Sequence, residues 1–154
     1  MKKKIIPIII AAIIIPLGVY TISPFFIERQ IDESFPVSTQ TSTETIPQQQ
    51  SLFSGSFVGV MDGVHNAQGN AKIIRVSDIE YLRLEDFRAT NGPDLHVYLA
   101  TDKQATDFVD LGSLKANNGN QNYQIPEGTD LAKYDMVLIW CQPFSVLFGS
   151  AELK

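Results

Sequence analysis

The sequence predicts an all-β fold, an antiparallel β-sandwich or small barrel of about eight strands, preceded by one N-terminal transmembrane helix and a disordered tether. Three observations carry that prediction. An uncharged run fills residues 5–27, just behind three lysines. Residues 28–52 turn abruptly to Ser, Thr, Gln, Glu and Pro. From residue 53 to 154, short apolar runs are broken repeatedly by Gly, Asn, Pro and Asp.

The run comes first. Ile5 to Ile27 holds no charged residue, and Lys2, Lys3 and Lys4 precede it. As a helix it would reach about 34 Å at 1.5 Å per residue, against a hydrocarbon core of about 30 Å. Pro7 and Pro16 would harm a soluble helix but are tolerated in membrane spans. Tyr20, Phe25 and Phe26 lie toward the far end, where aromatic rings suit the interface. The positive-inside bias keeps the lysines in the cytoplasm and puts everything after Glu28 outside, so residues 1–27 read as a cytoplasmic basic end and signal-anchor. The rival reading is a cleaved signal peptide, but no convincing small-x-small cleavage site follows the apolar stretch, where Gly18 and Ser23 with Tyr20 and Ile22 between them fit poorly.

Residues 28–52 cannot bury enough apolar surface to offset the ordering of the chain, so they read as a flexible tether. Beyond it, candidate strands cover 55–61, 70–76, 79–85, 95–101, 107–114, 121–125, 134–141 and 145–153. Leu95, Val97 and Leu99 alternate with His96, Tyr98 and Ala100. The stretch from Tyr134 to Cys141 is apolar on both faces over most of its length, which predicts a central strand. Turns are expected at 66–70, 91–94 and 117–120, with Gly92 at a positive-φ position and Asp94 as a turn former. Lys103–Phe108 is the best helix candidate, at one or two turns. Trp140, Phe144 and Phe148 read as core.

Charge narrows the function. From Ser51 onward there are 8 Lys and Arg against 13 Asp and Glu. An acidic domain lacks the clustered cations that phosphate backbones require, so no nucleic-acid partner is expected. No G-x-S-x-G, Walker A or H-E-x-x-H occurs.

Several ordered motifs point to a family. Gly92-Pro93-Asp94-Leu95 opens one strand; Leu114-Lys115-Ala116-Asn117-Asn118-Gly119-Asn120-Gln121-Asn122-Tyr123 follows, and Ile139-Trp140-Cys141 comes later. Over residues 53–154 the chain resembles the electron-transfer DM-thirteen domain, a small extracytoplasmic module. The resemblance implies a cell-surface redox role. It aligns the family's characteristic cysteine with Cys141, as a bare thiol or as ligand to a bound group such as haem, and it implies a redox partner protein.

Cys141 is the only cysteine, which excludes a disulfide within the chain. Read from the residues alone, it is equally a small hydrophobe of a central strand. Gln142-Pro143 follows at once, which places it at a strand end near a rim. His65 and His96 are the only imidazoles and therefore the candidate cofactor ligands beside it. Their ordinary alternatives are a loop histidine and a partly packed strand histidine. Lys115 and Gln121 are candidates to line a polar pocket. The competing function is a non-catalytic sandwich that binds a small ligand or a protein, with Cys141 as packing.

Overall fold

The computed structural model describes residues 28–36 and 50–154. The expected membrane span and most of the expected tether lie outside them. Among the described residues there are nine strands and no helix. β1 (Gln50–Ser56), β3 (Ala67–Val76), β4 (Ile79–Ala89) and β7 (Gln121–Gln124) form one sheet in the order β1-β3-β4-β7. β2 (Val58–Gly59), β5 (Leu95–Ala100), β6 (Phe108–Ser113), β8 (Met136–Cys141) and β9 (Val146–Glu152) form the other, in the order β2-β9-β8-β5-β6. Every pairing between these strands is antiparallel.

The expected all-β fold is thus present as two sheets. The expected first strand, 55–61, is two strands in different sheets. Phe57 lies buried between them and packs edge-to-face on Phe87 at 5.4 Å between centroids. A ring in that position fills the core while the backbone changes sheets. The expected central strand is β8, third of the five.

Alternation divides the five-stranded sheet. Leu95, Val97, Leu99, Val137, Ile139 and Cys141 face the other sheet and belong to the main core. Tyr98, Ala100 and Leu138 form a smaller cluster on the outer face, with Trp140, Met136 and Leu147 against it. Trp140 therefore packs on the outer face and not in the central core, and Phe144 is 68% exposed; only Phe148 is core as expected.

The helix expected at Lys103–Phe108 is a turn. The Asp102 carboxylate accepts the Gln104 amide at 2.8 Å, the Thr106 amide at 3.2 Å and the Thr106 hydroxyl. Such side-chain bonds offer the backbone a local alternative to a helix.

Residues 28–36 were expected to begin the tether, and β1 starts at Gln50, inside the same expected stretch. The segment 28–36 instead lies along the domain as a strap. The Ile31 amide donates to the Asn118 carbonyl at 3.0 Å, and the Asn118 amide donates back to Arg29 at 3.1 Å. The Glu33 carboxylate meets the Lys115 ammonium at 2.8 Å and the Asn122 amide at 2.7 Å. Buried Arg83 donates to the Glu33 carbonyl at 3.0 Å, and its guanidinium lies 3.9 Å from the Phe35 ring centre. Gly119 makes the docking fit: its φ is +103°, and a Cβ there would come within 1.8 Å of the Ile31 carbonyl oxygen.

Candidate functional site

Cys141 closes β8, opposite Leu95 of β5 and Val146 of β9. The turn that follows is tied back by the Gln142 amide, which donates to the Asp94 carbonyl at 3.2 Å. The cysteine therefore sits at a strand end, as its neighbours predict, but its side chain points inward and is 1% exposed. Its thiol donates to the Pro93 carbonyl at 3.1 Å. Pro93 and Leu95 in turn line an open cleft of about 520 Å³, with Asn91, Gly92, Ser113 and Arg29 among its other walls. The thiol thus lies under the 91–94 turn, whose residues line the cleft.

That turn has a different geometry from the expected one. The positive φ falls on Asp94, at +52°, and Gly92 is needed for space. A Cβ on Gly92 would lie 2.6 Å from the Phe148 ring and 2.8 Å from the Leu95 side chain.

His96 stands on the other face of the sheet. Its Nδ1 is 3.0 Å from both carboxylate oxygens of Asp110, and its Nε2 is 3.2 Å from Asp94 and 3.3 Å from the Ser113 hydroxyl. Gln142 joins the cluster, donating to the Tyr98 hydroxyl at 3.0 Å and to Asp110 at 3.2 Å. Burial pushes the Tyr98 phenol up, and the charges of Asp110 and Asp94 push it further, against the Gln142 bond.

His65 lies in the loop before β3. Its Nδ1 meets the Asp62 carboxylate at 2.5 Å, and its ring packs edge-on to Phe148 at 4.6 Å. The bonds from the His65 ring, and from the His65 and Val64 amides, hold the Asp62 carboxyl down at about 2.

The three predicted site residues do not converge on one point. Cys141 faces the core, and His96, adjacent to the Leu95 that pairs with Cys141, faces outward. Each imidazole is already engaged by a carboxylate. Among the described residues no group of three or more His, Cys, Asp or Glu is placed to hold a metal ion. A haem or metal gripped jointly by Cys141 and His96 does not fit this arrangement.

Lys115 and Gln121, the candidates for a polar pocket, are instead committed to structural bonds. Lys115 holds the strap through Glu33. Gln121 is wholly buried, donating to the Ala116 carbonyl at 2.7 Å and accepting the Ala116 amide at 3.2 Å and the Tyr123 hydroxyl at 2.8 Å. Burial pushes the Tyr123 phenol far up, so it stays a donor. The Lys115-to-Tyr123 motif is thus the scaffold of a loop. Asp110 and Gln142 carried no sequence signal, since Asp110 joins the His96 cluster through the β5–β6 pairing and Gln142 from the turn after β8.

The chain matches the model of the Electron transfer DM13 family over residues 57–153. It belongs to that family. The DM13 match spans β2 to β9 and includes Cys141, His65 and His96, while the strap and β1 precede it. No curated protein and no solved structure matches the chain.

Proposed function

We propose that this DM13 domain is a membrane-anchored, extracytoplasmic redox module that reacts through Cys141. The anchor is residues 5–27 and the partner is a second redox protein. The observation that carries the redox reading is the placement of Cys141: the sole thiol, at the end of the central strand, under the Pro93 turn and next to a cleft. For a lone cysteine, thiol–disulfide exchange needs a sulfur from elsewhere. In the step proposed, the Cys141 sulfur attacks a partner disulfide. One S–S bond breaks, a mixed disulfide forms, and the partner's second sulfur leaves as a thiol carrying the proton that Cys141 releases. Movement of the 91–94 turn uncovers the sulfur.

The test is thiol exchange on the native chain. An aromatic disulfide reagent should react with Cys141 faster than the domain unfolds under the same conditions, and Cys141→Ser should abolish the reaction. The burial of Cys141 favours one alternative, a non-catalytic binding module in which the residue is packing. Reaction no faster than global unfolding would establish that alternative in place of the redox reading.

A further inference from the structure

Four loops lie together at one end of the sandwich: 60–66, 90–94, 114–120 and 142–145. The Thr90 amide bonds the Asn66 carbonyl, Ala89 bonds Asn117, and Gln142 bonds Asp94, so each loop is tied to the group. Two of these loops present large apolar side chains to solvent. Met61 is 98% exposed, Val64 67% and Phe144 68%. Scattered exposed apolar residues need no explanation, but loop tips gathered at one end do. The loop that carries Met61 and Val64 is also built: the Asp62 carboxylate accepts the Val64 and His65 amides at 2.9 and 2.7 Å, and the His65 ring is braced on Phe148.

The chain enters the domain at this same end. Arg29 bonds Asn118 and lines the cleft beside Asn91–Leu95, and the strap runs from there along the domain to Phe35 over Arg83. Only Glu28 separates Arg29 from Ile27, the last residue of the uncharged run. Two residues span at most about 7 Å. A long free tether would let the domain tumble; a strap docked from residue 29 onward removes that freedom.

We infer that this end of the sandwich faces the bilayer, with Met61, Val64 and Phe144 dipping into the lipid interface. The inference rests on the anchor reading above and adds an orientation to it. Phenylalanine and aliphatic tips suit the boundary between headgroups and acyl chains. The opposite end, with the β3–β4 turn at Ser77 and Asp78 and the loop around Glu127, points away. The Pro93 turn above Cys141 belongs to the membrane-facing end, so a reaction partner would approach along the membrane surface.

The experiment uses the full wild-type chain in phosphatidylcholine vesicles doped with a phosphatidylcholine that carries a photoactivatable group near the headgroup. Flotation and mapping of lipid adducts are read together. The chain should float with the vesicles, with adducts in 5–27, 60–66 and 142–145 and none in 77–79 or 126–129. A Val64→Asp, Phe144→Asp double variant, altered only at exposed positions, should lose adducts in the two loops several-fold and keep those in 5–27. A floating chain with adducts in 5–27 alone would overturn the orientation and leave the anchor standing. A chain that does not float would overturn both.

Discussion

The inner and outer faces of the five-stranded sheet use the same strands for opposite purposes. Inward, Val97, Leu99, Val137, Ile139 and Cys141 make a buried apolar layer in which the thiol finds one acceptor, the Pro93 carbonyl. Outward, His96, Asp110, Gln142 and Tyr98 make a hydrogen-bonded cluster beside stacked aromatic rings, with Tyr98 and Phe108 4.2 Å apart. Strand pleating separates the two within a single residue step, because successive side chains point to opposite faces. The lesson is that Cys141 and His96 are neighbours in register and strangers in chemistry. On the redox reading proposed above, access to the thiol depends on the turn that covers it.

The sharpest way to break that contrast is at the cover. Gly92→Val would push a branched side chain into Phe148 and Leu95, both buried. Overpacking of this kind costs about 1–3 kcal/mol. The variant should melt at a lower temperature than the wild type, and Cys141 should react faster with a disulfide reagent because the turn is displaced. An unchanged melting curve would mean that the turn gives way freely and does not guard the thiol.

Much of this arrangement was legible in the chain. The alternation of Leu95, Val97 and Leu99 with His96 and Tyr98 sorted the two faces of β5 correctly, and the apolar run to Cys141 marked the central strand. Gln142-Pro143 placed Cys141 at a strand end. What sequence did not reveal depends on distant partners. The register that sets Leu95 opposite Cys141 spans 46 residues of chain. The strap looked like spacer because its composition is polar, yet it is held by Lys115, Asn118 and Asn122, each more than 80 residues away. Gly92 read as a turn glycine, and only the positions of Phe148 and Leu95 reveal that it is a packing glycine.

The strap yields a smaller effect. Burial raises the Glu33 carboxyl, but the Lys115 and Asn122 bonds and the Lys115 charge outweigh it and hold the group below its ordinary value near 4.5. A depressed carboxyl contributes stability above the ordinary value and loses it as pH falls through the folded value. Protection of the Ile31 and Glu33 amides from hydrogen exchange should therefore fall below about pH 4.5 in the wild type, relative to amides in β8. Glu33→Gln should lower that protection at neutral pH and remove its acid dependence, at a cost of about 1 kcal/mol or less for a partly exposed pair. Acid-independent strap protection in the wild type would show that backbone bonds alone hold it.

The smallest expected effect tests the separation of the faces directly. His96→Gln removes the imidazole and keeps a polar side chain beside Asp110. The cluster does not collapse without the ring, because Asp110 still accepts the Gly112 amide at 2.8 Å and Gln142 at 3.2 Å, and Tyr98 still receives Gln142 at 3.0 Å. No buried polar group is left without a partner, so the stability change should stay within about 0.5–1 kcal/mol. The rate at which Cys141 reacts with a disulfide reagent should match the wild type within a factor of two or so, because the ring and the sulfur lie on opposite sides of the sheet. A tenfold change in that rate without loss of stability would mean that charge on the outer face reaches the thiol through the sheet. The two faces would then have to be treated as one site, with His96 returned to it as a positioning residue.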